Sequence, residues 1–174
     1  MSRIVQVKIC GITNIKQAED CAEAGADAIG LVFYGKSPRN VTIKQAQKIC
    51  QAVPEHVAKV AVIVDMPILE IAEIVKQCQL DAIQLHGGES QEDVGRFKEL
   101  FPVEIIKHVS GNADDLLKDG ARFNTTLLIE STSGNLPGGN GTAWNWATAS
   151  ILCGKFPFVL AGGLTPENVR EAIL

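Results

Sequence analysis

Seven times along the chain a short apolar run gives way to a longer stretch of helical period. The runs are Val5–Cys10, Ala28–Phe33, Val57–Val64, Ala82–Leu85, Val103–Lys107, Thr126–Ile129 and Phe158–Ala161. The first alternates, and the continuous Ala28–Phe33 suits a strand buried on both faces, as in parallel sheets. Alternation of this kind implies a parallel sheet with right-handed crossovers. No G-x-G-x-x-G follows the first run, and no phosphate-binding lysine motif is present. Seven units lie nearer a (β/α)8 TIM barrel than a five- or six-stranded open sheet. The expected fold is therefore α/β, a single β/α-barrel domain over residues 1–174. The chain stops at Leu174, on the seventh helix, so the eighth β/α unit is expected to be missing from it. An open seven-stranded barrel would expose strand edges. A longer natural chain is preferred over a truncation that is rescued by a partner or poorly active, because the motifs are otherwise coherent.

The boundaries carry helix chemistry. Asn14 with Gln17, and Thr42 with Gln45, are spaced like capping pairs. Pro67 opens a helix, Ser90 caps another, and Thr165 with Pro166 starts the last. The segment from Trp146 reads as helical. Ala26-Asp27-Ala28-Ile29 is echoed by Leu80-Asp81-Ala82-Ile83, each at a strand start, a weak sign of a repeated unit.

Composition narrows the class. A net charge of -4 and a pI near 5.4 argue against a nucleic-acid binder. No apolar run is long enough to span a bilayer, and Met1-Ser2-Arg3-Ile4 does not open a signal peptide. The five cysteines are odd in number and lack metal-ligand spacing, which points to a reducing cytoplasm. Three of them fall on apolar helix faces and read as small hydrophobes. Cys10 differs, because it ends the first strand and precedes a sharp turn at Gly11.

Parallel strands gather their carboxyl ends on one side of the sheet. Cys10, the Lys36–Arg39 loop, Asp65, His86, Lys107, Glu130 and Gly162-Gly163 all fall at such ends. A thiol, a carboxyl, cations and glycine turns together suit acid–base chemistry on an anionic ligand. A strand-end thiol acts as a base through its thiolate, which a nearby cation such as Lys8 or Lys107 favours. Lys8 pointing outward is the alternative. Asp65 reads as structural, His56 and His108 as surface or loop groups, and Trp144 and Trp146 as packing residues.

Six ordered motifs resemble one family. They are Lys8-Ile9-Cys10-Gly11-Ile12-Thr13, Gly30-Leu31-Val32-Phe33-Tyr34 through Ser37-Pro38-Arg39, Gln84-Leu85-His86-Gly87, Leu128-Ile129-Glu130-Ser131, Gly138-Gly139-Asn140-Gly141-Thr142 with Trp146, and Leu160-Ala161-Gly162-Gly163-Leu164-Thr165-Pro166-Glu167-Asn168-Val169. This order is similar to that of phosphoribosylanthranilate isomerase, the barrel enzyme of tryptophan biosynthesis. The resemblance implies an Amadori rearrangement of N-(5-phosphoribosyl)anthranilate that needs neither cofactor nor metal. It implies Cys10 as base and Glu130 as acid. Arg39 would hold the anthranilate carboxylate, with His86 at the family's fourth-strand histidine. The amides of Gly139, Gly141, Gly162 and Gly163 would bind phosphate. The implied partner is a small phosphosugar, with fusion to or association with another pathway enzyme as an open arrangement.

The sequence departs from the family in two places that bear on chemistry. Glu130 stands where the acid is usually aspartate, and its extra methylene moves the carboxyl by about 1.5 Å. The slightly long Glu130-to-Gly138 spacing offers compensation. The family's Gly-Gly-x-Gly-Lys-Thr-Phe reads Gly138-Gly139-Asn140-Gly141-Thr142-Ala143-Trp144 here, without the lysine. Two alternatives therefore stay open. One is a different phosphosugar isomerase on the same fold, although no aspartate ends the first strand. The other is a catalytically impaired phosphate-ligand-binding barrel.

Overall fold

The first strand lies next to the second, and each later strand follows in chain order. The computed structural model describes residues 6–131, 141 and 143–173. Its strands are β1 (Lys8–Cys10), β2 (Ala28–Phe33), β3 (Ala58–Ile63), β4 (Ala82–Leu85), β5 (Glu104–Ser110), β6 (Thr126–Glu130) and β7 (Phe158–Leu160). Sheet order is β1-β2-β3-β4-β5-β6-β7. The helices between them are α1 (Ile15–Glu23), α2 (Ile43–Ala52), α3 (Ile68–Cys78), α4 (Gln91–Leu100) and α5 (Ala113–Phe123). A 3₁₀ helix, Trp146–Leu152, links β6 to β7, and α6 (Val169–Ile173) follows β7.

By packing, the chain divides into residues 1–84 with 98–104, and residues 85–97 with 105–174. In the first unit β1, β2 and β3 pair in parallel, with Cys10 opposite Gly30 and Gly30 opposite Val60. Ile29, Leu31 and Ile63 are fully covered there, as are Ala46, Ile49 and Ile71 on the helices. Each such aliphatic side chain removed from water contributes about 1.5–3 kcal/mol. In the second unit β5, β6 and β7 pair in parallel, with His108 opposite Leu128 and Ser110 opposite Glu130. Leu127, Ile129, Leu116 and Leu152 are buried in that unit.

The helix starts follow the sequence signals. Asn14 accepts from the Gln17 amide at 2.9 Å, and Thr42 with Gln45 closes a full capping box. The Ser90 hydroxyl accepts from the Asp93 amide at 3.1 Å. Pro67 sits at the N-cap of α3 rather than inside it. The final helix starts later than Thr165-Pro166 suggests. Thr165 donates its amide to Asn168 Oδ1 at 2.7 Å, and that turn occupies the residues before Val169.

The short echo around Asp27 and Asp81 has a shared structural cause. Asp27 Oδ2 accepts from the Val7 amide at 2.7 Å, and the Asp27 amide donates to the Val7 carbonyl at 2.9 Å. Asp81 repeats this one strand pair later, accepting from the Lys59 amide at 2.8 Å and donating to the Lys59 carbonyl at 2.9 Å. Each aspartate thus satisfies the preceding strand's backbone where the ladder has not yet begun. Two strand starts are fixed in register by the same device.

Candidate active site

At the carboxyl end of β1, Cys10 is exposed and the chain turns at once. Gly11 holds φ +86°, a conformation that side-chain-bearing residues rarely adopt. Its amide donates to the Gly30 carbonyl at 2.9 Å, and the Ile12 amide shares that acceptor at 3.1 Å. A β-carbon at Gly11 would lie 2.5 Å from Arg39 Cδ and 3.0 Å from its Nε. The guanidinium therefore lies across the turn, with Arg39 Nη1 3.5 Å from the Cys10 carbonyl oxygen. Ser37 Oγ accepts from the Arg39 amide at 3.1 Å and shapes the loop that presents it.

Gly30 opens the space beside the thiol. A β-carbon there would meet Cys10 Sγ at 2.8 Å and Lys8 Nζ at 3.0 Å. Lys8 thus shares a strand face with Cys10, as alternation along β1 requires. The outward-pointing alternative does not hold. A cation and a thiol converge over one glycine.

The second unit holds a buried polar cluster. His86, just past β4, is 7% exposed, Lys107 on β5 is 4% exposed and Glu130, the last residue of β6, is 4% exposed. Lys107 Nζ reaches Glu89 Oε2 and the Gly87 carbonyl, each at 2.7 Å. Glu89 in turn accepts from the Gly87 amide at 3.0 and 3.1 Å. The lysine is therefore committed to the turn after β4, and its charge is matched locally. His86 Nε2 lies 3.7 Å from Glu130 Oε2, longer than a hydrogen bond.

His108 is not the surface or loop group that the sequence suggests. β5 runs on to Ser110, which places His108 on the strand. Its ring stacks on that of His86, with centroids 4.1 Å apart and planes within 9°. Burial, and secondarily the Lys107 charge, push its pKa down to about 4, so the ring is neutral at pH 7. The register of β5 and β6 puts His108 and Glu130 on the same sheet face. The signal was legible as period-two alternation continuing through His108-Val109-Ser110.

Gly162 and Gly163 follow β7 with φ +88° and +70°. The Ala143 backbone presses against Gly163 so closely that a β-carbon there has no room. Asn168 Nδ2 donates to the Gly163 carbonyl at 2.9 Å. Trp146 Nε1 donates to the Gly162 carbonyl at 3.2 Å, and Trp144 Nε1 to the Ala161 carbonyl at 2.8 Å. Both indoles thus brace the turn. Gly141 is also left-handed, at φ +67°. Gly139 lies outside the described residues, as does most of the loop between β6 and the 3₁₀ helix.

Asp65 turns the chain after β3 at φ +45°. Among the remaining cysteines, Cys78 is buried, Cys21 and Cys50 are half-buried, and Cys153 is exposed. No helix among the described residues is long and apolar enough to cross a membrane.

Seven strands in chain order, alternating with helices, define a protein of the TIM-barrel class. Residues 7–174 match the family model described as N-(5'phosphoribosyl)anthranilate (PRA) isomerase. A relative from Desulfatibacillum aliphaticivorans named N-(5'-phosphoribosyl)anthranilate isomerase is 43% identical over 171 residues, which are 98% of this chain and 78% of that protein. The crystal structure of phosphoribosyl anthranilate isomerase from Thermotoga maritima matches with a TM-score of 0.88 at 35% identity, covering 98% of this chain and 82% of that one. A crystal structure of this isomerase in complex with reduced 1-(o-carboxyphenylamino)-1-deoxyribulose 5-phosphate matches at a TM-score of 0.84 and 35% identity, covering 98% and 81%. This chain belongs to the phosphoribosylanthranilate isomerase family, and it carries seven β/α units of that (β/α)8 fold.

Proposed function

We propose that Cys10 and Glu130 are the base and acid with which this chain isomerises N-(5-phosphoribosyl)anthranilate in tryptophan biosynthesis. Glu130 protonates the furanose ring oxygen. The bond from that oxygen to C1 breaks, and the anilino nitrogen's lone pair forms the C1=N bond of a Schiff base. The Cys10 thiolate then removes the proton from C2. The resulting enolamine takes a proton at C1 and gives up the proton of its C2 hydroxyl, which leaves the C2 ketone of the 1-deoxyribulose product. Arg39 suits the anthranilate carboxylate, because a planar guanidinium grips a carboxylate with two hydrogen bonds. His86 borders the sugar beside Glu130. Amides at Gly139, Gly141, Gly162 and Gly163 hold the phosphate, and the successive left-handed Gly162 and Gly163 suit an anion-binding turn.

The observation that carries this reading is the β1 end. Cys10 is exposed, flanked by Lys8 Nζ, and bounded by a guanidinium folded over the Gly11 turn. The burial of Glu130 beside His86 supports the acid. The same reading takes residues 1–174 as one catalytic domain working in the cytoplasm, which the odd number of cysteines supports.

The test is turnover by the purified chain with N-(5-phosphoribosyl)anthranilate, alongside Glu130→Gln and the aminosugar phosphate of histidine biosynthesis. Expected is conversion of the first substrate only, with kcat lowered about a hundredfold or more in Glu130→Gln. Binding of a product analogue without turnover by the native chain points instead to an impaired binder. Full activity in Glu130→Gln removes the acid assignment.

A further inference from the structure

In the second unit His108, to which the isomerisation gives no role, converges on His86 and Glu130. The donor atoms of His86, His108 and Glu130 all lie within 4.8 Å of one another. Of these, His86 Nε2 and Glu130 Oε2 are 3.7 Å apart. A tetrahedral ion with bonds of about 2.0–2.1 Å spaces its ligands about 3.4 Å apart. One pair is already within a few tenths of an ångström of that spacing and the others are within about 1.4 Å of it, so binding requires the two parallel rings to tilt until their lone pairs converge.

His108 supplies a second, independent observation. Its Nε2 is buried and has no hydrogen-bond partner among the described residues. A buried polar atom of that kind is rare and calls for a ligand of its own. Stacking on His86 holds the ring in place but satisfies no lone pair. Two imidazoles and one carboxylate are the donor set of open zinc sites, with a fourth position left for water. Calcium and magnesium favour oxygen donors instead. Lys107 does not oppose a cation here, because Glu89 already matches its charge at 2.7 Å.

We propose that His86, His108 and Glu130 form a binding site for a borderline divalent transition metal such as zinc or cobalt, and that the bound ion inhibits the isomerase by occupying Glu130. The ion site stands on the geometry alone. Its inhibitory effect rests on Glu130 being the acid. The ion is an inhibitor, not a cofactor, because the carboxyl that ligates it no longer donates a proton to substrate.

The experiment titrates cobalt(II) into chelator-treated, fully reduced chain and records visible d–d absorption together with isomerase activity. The native chain is expected to show a tetrahedral band saturating at one ion per chain. Activity should fall in parallel and return with chelator. His108→Ala, and His108→Gln as the variant of similar volume, should bind at least about tenfold more weakly. Both should keep basal activity within a few-fold and resist cobalt. A band undiminished in both variants, or no saturable band, overturns the site. Sulfur-to-metal charge-transfer absorption overturns it too, since it places the ion on thiols. A band lost in the variants, with native activity untouched by cobalt, overturns the inhibition while the ion site stands. Because the band is read without substrate, failure of the isomerase assignment leaves that arm intact.

Discussion

The β1 end and the cluster at β4, β5 and β6 are built on opposite principles. Around Cys10 the groups are exposed, and their placement comes from backbone: a left-handed Gly11, a Gly30 without a side chain, and a loop fixed by Ser37. Around Glu130 the groups are buried, and their placement comes from one another through the Lys107–Glu89 pair and stacked imidazoles. The first kind of site tolerates side-chain change without unfolding but fails when its glycines are filled. The second couples chemistry to stability, because each charged group there is covered only while its neighbour remains.

The sharpest way to break this contrast is Lys107→Met. It leaves Glu89 buried without its cation, and loss of one partner of a buried pair costs about 3–5 kcal/mol. Urea denaturation should show that loss. Adding Glu89→Gln should recover much of it. An effect below about 1 kcal/mol would mean that the pair is solvated and the contrast is false.

Next in size is a pH effect carried by His108. Its folded pKa of about 4 lies below the ordinary value of 6.5. Between those values the unfolded chain takes up a proton that the folded chain refuses. Stability is therefore full above pH 6.5 and falls as pH drops toward 4. At about 1.4 kcal/mol per pKa unit the loss is as much as about 3 kcal/mol. Denaturation of metal-free protein across that range should be steeper for the native chain than for His108→Gln.

The smallest expected effect in the series is Gly11→Ala. A φ of +86° costs a residue with a side chain about 1–2 kcal/mol, and the new carbon collides with Arg39. Stability should drop by about that amount, while KM rises more than kcat falls because the guanidinium is displaced. A changed kcat at constant KM would argue that Arg39 does not hold substrate.

The strands and caps were legible because period and polarity are local. Thr42 with Gln45, and Ser90, act as their spacing implies. The aspartate echo had a cause visible only in three dimensions, where Asp27 and Asp81 each close a strand start. Reading β5 as ending at Lys107 failed for a physical reason. A strand end that carries polar side chains loses its apolar signature, so His108-Val109-Ser110 reads as loop although the ladder continues to Ser110. Lys8 and Lys107 could not be told apart from sequence, since both are strand lysines. One flanks the thiol, while the other neutralises Glu89. The late start of α6 was missed because Asn168 caps the turn that Thr165-Pro166 was expected to begin.

The most direct test of the account is kcat for Cys10→Ser with N-(5-phosphoribosyl)anthranilate at saturation. Serine keeps the shape and the turn at Gly11 but removes an accessible thiolate. The expected result is a fall of about a hundredfold or more with KM within a few-fold of native. Turnover equal to that of the native chain contradicts it, because the proton at C2 would then be leaving to some other base.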